Sequence, residues 1–124
     1  MKKINYLLIL LSALLISACS GSESYRGAWK ATKDNGDRLD IEFKEKSFSI
    51  KDSTGNIQEY EYTQNSVAIV NSITTYGINV NDGRTYKINF PLPKDISKGF
   101  ILDSNGLFVY VISRKNYLKY EDVY

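Results

Sequence analysis

The sequence predicts an all-β fold, an antiparallel meander of about eight or nine strands closing into a small barrel, with a two-sheet sandwich as the alternative. Two observations predict it. From Tyr25 onward the apolar side chains recur mostly at every second position, the period of a strand with one buried face. Clusters of Asp, Asn and Gly punctuate these alternating runs, and such residues tolerate the positive φ angles of tight hairpins.

The first strand, 25–32, carries Trp29. In 38–44, Leu39, Ile41 and Phe43 share one face while Asp40 and Glu42 take the other. Phe48 and Ile50 continue the scheme in 46–52, and Tyr60 and Tyr62 alternate with Glu59 and Glu61 in 57–63. A short strand at 66–71 precedes 74–80, with Tyr76, Ile78 and Val80, and 84–90, with Tyr86, Ile88 and Phe90. Hairpin turns fall at Asp34-Asn35-Gly36-Asp37, Asp52-Ser53-Thr54-Gly55-Asn56, Asn81-Asp82-Gly83 and Asp103-Ser104-Asn105-Gly106. Pro91-Leu92-Pro93 removes two amide donors, so 91–98 is read as a long loop or a crossover at the rim. Two strands remain, 99–103 and 106–114. A meander of this length must protect its two edges, and closure is the simplest way to do so.

The last strand departs from alternation. Leu107, Val109 and Val111 are apolar on one side and Phe108, Tyr110 and Ile112 on the other, so both faces want cover. Either the stretch Tyr117-Leu118-Lys119-Tyr120 or the N-terminal strand folds over it, or Phe108, Tyr110, Tyr117 and Tyr120 form an exposed aromatic surface for a partner.

The chain contains no histidine and one cysteine, which excludes a Ser-His-Asp triad, a Cys-His pair and an internal disulfide. Paired carboxylates, Asp40/Glu42 and Glu59/Glu61, are the only catalytic candidates. They lie on the polar side of their strands, solvated and without a pocket around them, so no catalytic residue and no enzyme activity is expected. The Asp34–Asp37 stretch lacks the spaced ligands and closing Glu of a calcium loop, and neither metal nor cofactor is expected.

Residues 1–18 form a separate object. Lys2 and Lys3 precede the apolar run from Tyr6 to Ile16, which spans roughly 16 Å as a helix, about half a bilayer core. That is too short for a membrane span and suits an export signal. Ile16-Ser17-Ala18-Cys19 follows, and it resembles the lipobox of bacterial lipoproteins. The resemblance implies cleavage before Cys19, acylation of Cys19, and a protein anchored to a bilayer without spanning it. It places the chain in a bacterial cell envelope, at the outer membrane of a Gram-negative host and otherwise on the outer face of the plasma membrane. Residues 19–24 are then the lipidated cysteine and a flexible tether, and 25–124 a single β domain. Losing Lys2 and Lys3 from the 16 basic residues leaves as many as the 14 acidic ones, interspersed along the chain, which argues against nucleic acid.

Gly27-Ala28-Trp29 opens the first strand and Arg114 closes the last. This arrangement resembles the lipocalins, in which a first-strand tryptophan packs against an arginine near the end of the barrel. The resemblance implies a structural Trp29–Arg114 pair. The expected function is a membrane-anchored envelope lipoprotein serving as a small protein-binding module of inhibitor, immunity, exclusion or assembly type. A carrier of a small apolar ligand is the alternative, and a hydrolase using carboxylates alone is the remote one.

Overall fold

The computed structural model describes residues 23–123. The expected lipobox residues Ile16, Ser17, Ala18 and Cys19 lie outside the described residues. Eight antiparallel strands follow one another: β1 (Gly27–Thr32), β2 (Arg38–Phe43), β3 (Ser47–Lys51), β4 (Ile57–Val70), β5 (Ile73–Val80), β6 (Thr85–Phe90), β7 (Lys98–Asp103) and β8 (Phe108–Ser113). Each pairs with its neighbours in sequence, and β1 pairs with β8 through Lys30↔Ser113, Ala31↔Ile112 and Thr32↔Val111. That last pairing closes a barrel and sets the sandwich aside.

All four Asp/Asn-Gly hairpins form, with φ of 92° at Gly36, 90° at Gly55, 98° at Gly83 and 81° at Gly106. In an up-and-down meander these alternate connections share one rim, here called the turn end. The opposite rim, the entry end, carries the β2–β3 and β4–β5 turns, the loop from Pro91 to Ser97, and the start of the described chain.

The expected strands 66–71 and 57–63 are one strand. β4 runs unbroken through Gln64-Asn65-Ser66, absorbing the extra residue as a bulge against β5. Room for it comes from the other strand, because a Cβ on Gly77 would stand 2.3 Å from Ser66 Oγ and 2.5 Å from Asn65 Oδ1. The first half of β4 pairs with β3 and the second half with β5, so the β4–β5 hairpin reaches past the end of β3.

The interior is packed by Trp29, Ile41, Phe43, Phe48, Tyr62, Ile78, Ile88 and Phe90 among others. A second, smaller cluster lies outside the barrel wall. Phe100, Val111 and Val123 are buried there with Leu92, Leu102, Phe108 and Leu118 against them. The C-terminal segment therefore covers the outer face of β7 and β8, which explains why β8 is apolar on both sides.

Candidate functional site

The entry end is closed by side chains from the first described residues. Tyr25 is fully buried, edge-on to Phe43 at 5.4 Å and to Tyr76 at 4.8 Å between ring centroids. Its hydroxyl donates to Gln64 Oε1 at 2.8 Å, and the Tyr62 hydroxyl donates to the Lys44 carbonyl at 2.5 Å. Burial pushes the phenol pKa of Tyr25 far up and that of Tyr62 up as well.

Trp29 and Arg114 meet as expected. The guanidinium lies 3.7 Å from the centroid of the Trp29 ring. It also donates to the carbonyls of Ala28 (2.9 Å), Ser24 (2.9 Å) and Arg26 (2.7 Å), while Trp29 Nε1 donates to the Tyr25 carbonyl at 2.7 Å. One arginine thus ties the end of β8 to the chain entering β1. Gly27 is required at this spot, since its φ is 103° and a Cβ there would stand 2.9 Å from Arg114 Nη1.

The turn end is built differently. Arg84, leaving the β5–β6 hairpin, lies over Tyr60 at 5.1 Å and Tyr86 at 5.7 Å. Its guanidinium donates to the Tyr86 hydroxyl at 3.0 Å and is paired with Asp82 at 2.6 Å, which holds the Asp82 carboxyl below its usual range. Beneath Arg84 is a cavity of about 40 Å³ lined chiefly by Ile41, Phe48, Ile50, Ile101, Tyr86 and Tyr110. Leu107, in the β7–β8 turn, and Ile57, the first residue of β4 and paired with Lys51 on the outer face, are exposed at the same end.

The four aromatics expected as a partner surface do not share one. Tyr110 packs on the interior cluster and forms part of the cavity wall. Phe108 and Tyr120 meet on the outer side, 5.6 Å apart, with Tyr120 stacked on Phe100 at 5.1 Å. A bulge between Ile101↔Tyr110 and Leu102↔Phe108 accounts for the split, because one extra residue sends Phe108 to the opposite face. Tyr117 lies elsewhere on the wall, donating to Asp40 Oδ1 at 2.5 Å beneath Lys30 and Arg38.

The carboxylates Asp40, Glu42, Glu59 and Glu61 are exposed on the outer face. Glu61 accepts from Asn81 Nδ2 at 3.0 Å, and Asp40 is engaged by Tyr117. The Asp34–Asp37 stretch is a hairpin turn, with Asn35 Oδ1 accepting from the Asp37 amide at 3.0 Å. Arg84 was not singled out by the sequence reading. A signal was present, because an arginine just after Asp-Gly and two residues before a tyrosine shares that tyrosine's face of the strand.

The fold and these two rims define the class: a small, closed, eight-stranded antiparallel barrel with a packed interior. Comparison with family models, curated proteins and solved structures gives no match for this chain.

Proposed function

We propose that this chain is a lipid-anchored protein of a bacterial cell envelope, acylated at Cys19, whose barrel is a non-catalytic module that binds a protein partner. The observation that carries the reading is the filled interior. A cavity of about 40 Å³ holds a water or two, whereas small-molecule sites run to roughly 300–1,000 Å³. The work then falls to the outside of the barrel. The turn end suits it: Tyr and Arg dominate binding hot spots, and Tyr60, Arg84 and Tyr86 stand there already ordered against one another, with Leu107 exposed at the same end.

A photo-crosslinking residue placed at Leu107 in the membrane-anchored chain tests this. One discrete protein adduct, lost on Arg84→Ala, is the expected result. Adducts that persist unchanged in that variant, or none at all, overturn the reading. One observation favours a carrier instead: the cavity is lined mainly by apolar side chains, with Arg84 among the lining residues. Saturable binding of a fluorescent fatty acid, with displacement of the Arg84 cap, would establish that alternative.

A further inference from the structure

The β4–β5 hairpin is the least covered part of the barrel. Val67, Ile69 and Val70 are 55%, 70% and 66% exposed. Val67 pairs with Tyr76, which faces the core, so Val67 and Ile69 lie on the inner face of a hairpin that has outrun the barrel, while Val70 lies on the other face. The tip is therefore apolar on both sides. Among the described residues, no strand pairs with the β3-side edge of β4 beyond Glu61, although Tyr62 still donates to the Lys46 carbonyl.

Its surroundings share the entry end. Ile96, half exposed, projects from the loop that follows β6. Lys44, Lys46, Lys94, Lys98 and Lys115 lie in the turns and chain ends of this rim and outnumber Glu23, Glu45 and Asp95. The N-terminal segment touches the same hairpin: the Ser24 amide donates to the Tyr76 hydroxyl at 3.4 Å, and Tyr25 donates to Gln64. From Tyr76 to the tip is about 10 Å of strand. From Ser24 back to Cys19 is at most about 17 Å of extended chain.

We infer that the β4–β5 tip docks in an anionic lipid surface, with the lysines of the entry rim against the headgroups and Val67, Ile69 and Val70 at the acyl boundary. Charge complementarity and the reach of the tether both select a bilayer as the occupant. The uncovered edge of β4 limits the depth, because unsatisfied peptide groups are excluded from the hydrocarbon core, so the tip stops within roughly 5–10 Å of the boundary. The inference rests on the lipid-anchor reading for its tether, and it turns the opposite rim, with Arg84, toward the partner.

The test uses the full chain purified from membranes, with Ile69→Cys or Asn105→Cys carrying an environment-sensitive fluorophore. Each is reconstituted in phosphatidylglycerol–phosphatidylethanolamine vesicles containing lipids spin-labelled high on the acyl chain. A probe at position 69 should lose roughly half its emission, and one at 105, on the turn end, none. Position 69 is exposed, so the substitution leaves folding intact, which a near-ultraviolet spectrum verifies. Equal, small quenching at both positions, with an acyl mass present on the Cys19 peptide, overturns the docking while the anchor stands. An unmodified Cys19 overturns the anchor, and quenching at 69 by added vesicles would then still support the docking. Self-association abolished by Ile69→Asp, without quenching, overturns it in favour of a second copy.

Discussion

Arg114 does two jobs that no other side chain can combine. Its planar fork reaches three backbone carbonyls at once, and its face covers the Trp29 ring. Arg114→Lys keeps the charge but loses the fork, so it should destabilise the fold nearly as much as Arg114→Ala, by about 2–3 kcal/mol in urea unfolding. Gly27 answers to the same guanidinium. Gly27→Ala forces a side chain into a φ of 103° and against Arg114 Nη1, at a cost of about 1–3 kcal/mol. In an Arg114→Ala background the clash is gone and only the backbone strain remains. The second substitution should then cost less than it does alone, a coupling that a double-mutant cycle measures directly.

At the scale of elements, the β4–β5 connection is a two-residue turn with both residues left-handed, Asn71 at φ 53° and Ser72 at φ 66°. Asn accepts that conformation and Ser does so at a cost, so Ser72→Gly should stabilise the protein by about 0.5–1 kcal/mol, seen as a higher melting temperature. This turn also shows what the letters could convey. Turns that contain glycine were legible, because glycine marks a positive φ locally. Asn71-Ser72 carries no such mark, and Gln64-Asn65 falls between the expected strands 57–63 and 66–71 because nothing nearby says otherwise. What lets β4 continue there is Gly77, whose relation to Asn65 appears only once the register is known. Similarly, the burial of alternate residues in β2 and β6 was readable from period alone. The split of Tyr110 from Phe108 and the volume left beneath Arg84 depend on a bulge and on the summed packing of six strands, and no local pattern encodes either.

At the scale of the molecule, the two rims differ in how they are sealed, and the difference sets the response to alkali. The turn end is capped by an exposed ion pair, Arg84 with Asp82, which salt and solvent screen. The entry end is sealed by neutral phenols whose ionisation burial opposes. Their folded pKa values lie above the unfolded value of about 10, so the folded state holds these protons more tightly than the unfolded chain does. The stability they contribute is fully present below that pH and is lost as pH rises through it toward the folded values. The urea midpoint should therefore stay level into the mildly alkaline range and fall from about pH 10 upward. Phenolate absorbance should show Tyr25 and Tyr62 ionising only as the barrel opens. Tyr25→Phe cannot ionise; it should lower stability at neutral pH, because Gln64 loses its donor, and flatten the alkaline fall. A midpoint that fell equally steeply in that variant would assign the alkaline fall to the other phenols that burial raises, Tyr62 and Tyr110.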